Sequence, residues 1–189
     1  IDGIISVERD HAFDDKDYYR SGGIRLYYDS YAASIDGVKE GVLLEAGFDT
    51  VTPNIELNIS SWAYEKAKRN TSVDIIDNRA INVACYHPGY TFVEKLQTIA
   101  AKFRQEQSKG EVRPNLMRQY YDIYCLLGDG KVQEFISTPE YKVHKERRFS
   151  KTDLDIPVAS NEAFLLNTPE LRAKYRKRYE NTSALYYNG

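Results

Sequence analysis

Two adjacent apolar patterns, running from Tyr90 to Leu127 as YTFVEKLQTIAAKFRQEQSKGEVRPNLMRQYYDIYCLL, constrain this chain more than any other stretch. In the first, Phe92, Leu96, Ile99, Ala100 and Phe103 recur at helical spacing and define one apolar face. Lys95 and Lys102 lie seven residues apart, about two turns, and so share a flank of that face. In the second, Leu116, Tyr120, Ile123 and Leu127 form a stripe widened by Met117 and Tyr124. Cys125 and Leu126 leave that helix little room for a solvent face, so Arg118 and Asp122 stand on a largely apolar surface. A carboxylate there is costly unless it is paired or used. An Arg118–Asp122 pair at i, i+4 is the plain alternative.

The rest of the chain reads as strands first and helices after. Ile24 to Ala32 alternates Ile24, Leu26 and Tyr28 against Arg25, Tyr27 and Asp29, the pattern of a half-buried strand. Asp36-Gly37 marks a hairpin connection, and Gly41 to Phe48 forms a second strand antiparallel to the first. Asp49 to Asn54 reads as a loop. Ser60-Ser61 caps a helix through Lys68, with Trp62 expected to face the core. Ile81 to Tyr86 is a third strand, stopped by His87-Pro88-Gly89. Thr91 and Glu94 have capping-box spacing. Lys109 to Pro114 links the two motif helices. Lys131 to Phe149 reads as a helix interrupted near Thr138-Pro139, and Asp153 to Ser160 as irregular. Thr168 caps a last helix that runs to about Asn181. The expected class is α+β, a small antiparallel or mixed sheet followed by a C-terminal helical bundle. The expected division is a sheet-containing part, 1–89, and a helical part, 90–189.

With 189 residues and a net charge of −2, the chain can bury a core but cannot bind nucleic acid through bulk charge. Any such binding has to be local. Two basic clusters offer it: Lys142, Lys145, Arg147, Arg148 and Lys151, and then Arg172, Lys174, Arg176, Lys177 and Arg178, interleaved with Tyr175 and Tyr179. Cys85 and Cys125 lack metal-type spacing and read as reduced core residues of a cytoplasmic protein. A Cys85–His87 nucleophilic pair has no other support. No apolar run is long enough to span a membrane. Glu45, inside GVLLEAG, reads as an acid on a central strand, either paired with an arginine or used.

The segments TFVEKLQTIAAKF and RQYYDIYCLL together resemble the C-terminal half of the AbiEii/AbiGii nucleotidyltransferase-like toxins, with weaker likeness from Ile24 to Phe149. The resemblance implies a toxin of a bacterial toxin–antitoxin system that transfers a nucleotidyl group from an NTP to an acceptor, with tRNA expected. It implies Mg2+ as cofactor, an antitoxin as partner, and no membrane. It makes Lys95 and Asp122 catalytic, Lys95 and Lys102 holders of the nucleotide's phosphates, and Glu45 a metal-binding acid. Gln119 departs from the motif, standing where the family usually has an Asp.

The family's N-terminal signature, a Gly-Ser turn followed by Asp-x-Asp on a strand, is not found. Asp15-Lys16-Asp17 has the spacing but sits among polar residues, as in a solvated loop. The chain opens on Ile1 with no initiator Met, which reads as a piece of a longer protein. On this basis the chain by itself is expected to transfer little. The competing expectation is a non-catalytic module that docks an antitoxin, nucleic acid or another subunit.

Overall fold

The structure is a computed structural model that describes residues 3–31, 33–34, 39–70, 72, 74–113 and 115–182. The chain is α+β, and by contact it divides into two units, Ile1–Val51 and Thr52–Gly189. The expected division at 89/90 follows element type instead, and as a statement about folding it remains a proposal.

The first unit is a three-stranded antiparallel sheet of β1 (Ile4–Arg9), β2 (Ser21–Tyr28) and β3 (Val42–Gly47), in that order. The β2–β3 pairing is the expected one, with Ile24 opposite Leu44 and Gly23 opposite Glu45. The expected Asp36-Gly37 turn lies outside the described residues. β1 was not expected as a strand, and most of its residues are exposed. The inward side of β2 is also not the expected one. Ile24 is exposed, whereas Arg25 is buried against the buried Asp10. The Arg25 Nη2 and Nε groups donate to Asp10 Oδ2 at 2.8 and 3.1 Å. Two charges removed from water need close hydrogen bonds, here two N–H groups on one oxygen, to offset desolvation, and Arg25 holds the Asp10 carboxyl below its ordinary range.

The second unit opens with a hairpin of β4 (Asn54–Ile59) and β5 (Ala80–Tyr86), which flank α1 (Trp62–Lys68). Ser61 caps α1 as expected, its hydroxyl accepting from Tyr64 N–H at 3.0 Å. Trp62 does not face a core: it is 77% exposed, and α1 buries no residue. Helices follow: α2 (Pro88–Lys109), α3 (Leu116–Leu127), α4 (Gly130–Ile136), α5 (Pro139–Arg148), α6 (Lys151–Leu154), α7 (Glu162–Leu165) and α8 (Pro169–Thr182).

Helix α2 begins earlier than Thr91. His87 is its N-cap, with Nδ1 accepting from Gly89 N–H at 3.1 Å, and Pro88 occupies the first turn. Proline suits that position because its missing N–H would have no helical partner there. The helix ends at Gly110, whose left-handed φ of 69° a side chain would disfavour.

Among the described residues, every buried large hydrophobic side chain lies between Phe92 and Tyr175. Phe92, Leu96, Ile99, Ala100 and Phe103 are all buried, so the predicted face of α2 is the spine of this core. Each such burial of a large side chain stabilises by roughly 1.5–3 kcal/mol. Around α2 pack α3, α4, α5 and α7. Helix α3 keeps a solvent face after all, with Arg118, Tyr124, Cys125 and Leu127 exposed. Cys125 is therefore not a core residue; it is free, as is the half-buried Cys85.

Candidate functional site

Packing the apolar stripes of α2 and α3 brings their flanking charges to one edge. Lys95 Nζ donates to Asp122 Oδ2 at 2.8 Å and to Gln119 Oε1 at 2.9 Å. Asp122 thus takes its partner across the helix interface, as expected, and not the alternative partner Arg118. The side chains of Lys95 and Asp122 remain 29% and 26% exposed. A fully exposed pair stabilises by under about 1 kcal/mol, while a fully buried one has several kcal/mol of desolvation to offset. A pair one-quarter open lies between these limits. Its ammonium is held in place yet can exchange a carboxylate for another anion. Gln119, where the family motif has an acid, supplies a neutral acceptor, so Lys95 faces a single formal negative charge.

Glu94, the residue before Lys95, points to a different neighbour. Its carboxylate accepts from Tyr86 Oη at 3.1 Å and pairs with Arg148 at 2.8 Å, while His144 Nε2 lies 3.4 Å away. It therefore serves the α2–α5 interface and not a capping box. His144 is buried and stacks on Tyr90 at 4.6 Å between ring centroids. Burial lowers its pKa from the ordinary 6.5, outweighing the opposite pull of Glu94.

At the other end of α2, Glu106 forms a second cluster that sequence reading missed. It accepts from Arg178 Nη1 and Nη2 at 2.8 and 2.9 Å, from Tyr175 Oη at 2.8 Å and from the Arg113 backbone N–H at 2.6 Å. Burial pushes its carboxyl up, but these four bonds outweigh it and hold the group below the usual 4.5. A signal was present: positions 92, 96, 99, 103 and 106 continue one heptad-like stripe, which places a carboxylate on the buried seam.

The other expected site residues lie elsewhere. Lys102 is half-buried and makes no ion pair among the described residues. Glu45 is exposed on β3, an edge strand of its sheet and not a central one. The cavity of about 610 Å³ beside it is lined by Arg9 and Arg20 and by no second acid. Asp15 and Asp17 occupy a turn, where Asp15 Oδ1 accepts from the Asp17 and Tyr18 backbone N–H groups at 3.2 and 3.1 Å. Among the described residues no three His, Cys, Asp or Glu side chains gather as metal donors. Mg2+ requires near-octahedral oxygen ligands, so the ion implied by the resemblance does not fit Glu45 and its neighbours by themselves. His87 commits its Nδ1 to capping α2.

Lys95 and Asp122, on the two helices picked out by the sequence motifs, are thus brought together at one edge of an α+β chain. The chain matches the family described as Nucleotidyl transferase AbiEii toxin, Type IV TA system, over residues 2–186, and it belongs to that family. The match is wider than the likeness from Ile24 to Phe149 expected from the motifs. The family consists of nucleotidyltransferase toxins of type IV toxin–antitoxin systems, which implies an antitoxin partner and a nucleotide substrate. No curated protein and no solved structure matches the chain. No helix among the described residues is long and apolar enough to cross a membrane.

Proposed function

We propose that this chain carries the phosphate-binding half of a nucleotidyl-transfer site, with an NTP as donor and tRNA as acceptor. The observation that carries the reading is Lys95, fixed at 2.8 Å from Asp122 on a half-open edge between α2 and α3. In nucleotidyl transfer the catalytic burden is positioning and neutralising charge on phosphate oxygens. An incoming polyphosphate competes with Asp122 for the Lys95 ammonium, and Gln119 holds the amine in place during the exchange. Asp122, released from the lysine, is left as an acceptor facing the same edge. Lys102, two turns along the same flank, supplies a second cation for the distal phosphates. The donor arrives as its magnesium complex, since Mg2+ is commonly held in large part by substrate phosphates.

The reading is tested by titrating the chain with an NTP and magnesium and following heat or fluorescence. Lys95→Gln should weaken binding about tenfold, the scale of one charge-assisted hydrogen bond. Lys102→Gln should have a smaller effect in the same direction. Equal affinity in Lys95→Gln and the native chain would make the Lys95–Asp122 pair a device of helix packing. Because Glu45 lacks partner acids among the described residues, labelled NTP and bulk tRNA should yield little labelled product with this chain by itself.

A further inference from the structure

A cavity of about 410 Å³ opens between α3, α7 and α8. Its wall includes Tyr120, Phe164, Leu165 and Tyr179, with Arg172 and Arg176 at the rim, and no carboxylate lines it. In a chain of net charge −2, this is an aromatic pocket with a purely cationic edge. Helix α8 has five basic residues against Glu170 and Glu180, but they are not equivalent. Arg178 is committed to Glu106 at 2.8 Å, and Arg172 donates to the Leu166 and Leu165 carbonyls at 2.9 and 3.3 Å. Those two bonds fix the α7–α8 corner that forms the cavity's lip. Arg176, one turn beyond Arg172, is exposed and makes no hydrogen bond or ion pair among the described residues. The Tyr120 hydroxyl is tied to the Ala163 carbonyl at 2.6 Å, which holds one ring of the wall in place.

We infer that this cavity takes one unpaired base of the RNA acceptor, stacked among Tyr120, Phe164 and Tyr179, with the adjoining phosphate on Arg176. The volume lies within the range of small-ligand pockets, which are apolar and aromatic with few oriented polar groups. Bases stack on aromatic rings whatever their identity, and an arginine beside them meets the backbone charge. The inference rests on the acceptor being RNA, and it adds to that reading a defined place for a base.

The test is fluorescence anisotropy with a short labelled single-stranded oligoribonucleotide and a fully abasic ribose-phosphate strand of equal length. The native chain should bind the intact strand about tenfold more tightly than the abasic one. Phe164→Leu should abolish most of that difference, whereas Arg176→Gln, which meets a phosphate that both strands carry, should weaken both. Lys177→Gln, on the same helix but outside the cavity wall, should weaken both strands alike. If the native chain shows no preference for the intact strand, or Phe164→Leu leaves that preference in place, α8 acts only as a basic surface and the pocket assignment is overturned. If free NTP displaces the intact strand and its affinity falls with Phe164→Leu, the cavity is a donor site, which also overturns it. If the native chain binds neither strand, the RNA-acceptor reading itself falls, and the pocket with it.

Discussion

At the residue scale the chain's buried charges decide most of its chemistry. Glu106 satisfies four donors from three residues on two segments, so Glu106→Gln should cost about 3 kcal/mol of stability, the scale of breaking a buried ion pair. Urea unfolding would measure it, and a loss below about 1 kcal/mol would show the cluster to be loosely held. His144 and Glu106 also set an acid limit. Both pKa values are lowered on folding, so in each case the unfolded chain takes up a proton that the folded chain refuses. Stability is therefore complete above the unfolded values and falls with pH, first below about 6.5 through His144 and then below about 4.5 through Glu106. His144→Gln should flatten the first step and leave the second. Urea midpoints from pH 7.5 to 4 would read both. Lys95 and Asp122 were legible in the sequence because a charge beside an apolar stripe is conspicuous. Their mutual contact was legible too, since stripes that pack bring their flanks together.

Elements were legible where one periodicity ruled and obscure where it was diluted. The face of α2 could be read residue by residue, since Phe92, Leu96, Ile99, Ala100 and Phe103 repeat with the helix. β1 and β4 were missed although Ile5 and Val7, and Ile55, Leu57 and Ile59, alternate with polar neighbours, because a six-residue run carries far less periodic signal than the 22 residues of α2. Trp62 misled because a large aromatic signals burial, whereas α1 is a short exposed helix between the strands of a hairpin. The start of α2 shows tertiary contacts overriding a local motif: Glu94, spaced correctly for a capping box, is claimed by Tyr86 and Arg148. This start also includes a tight approach. A Cβ added to Gly89 would lie 2.5 Å from the Phe135 ring, well inside contact distance. Gly89→Ala should therefore destabilise by about 1–3 kcal/mol through overpacking. An unchanged melting temperature would mean that Phe135 can move aside freely.

Across the whole molecule, order is unevenly supported. Ile1–Val51 is held by strand pairing and the Asp10–Arg25 pair, whereas among the described residues the buried hydrophobic side chains all belong to Thr52–Gly189. Hydrogen exchange should show amides of β2 and β3 opening well before those of α2 and α3, because local stability follows buried apolar contacts. Equal protection in both units would contradict this. The class, α+β, was legible from the order of patterns. The division of the chain after Val51 was not, because hairpin β4–β5 looks like the strands before it and belongs by contact with the helices after it. One consequence concerns α3, which separates two compartments. At 100° per residue, Gln119 and Asp122 project from one side of its axis and Met117 and Tyr120 from nearly the opposite side. A helix with its side chains is about 10–12 Å across, and stacked nucleotides advance about 3.4 Å each. A strand anchored by a base in the α7–α8 cavity and reacting beside Lys95 must therefore round α3 along a half-circumference of about 16–19 Å, with about five nucleotides between the two points. The thickness of one helix would then fix the shortest end that the protein can modify.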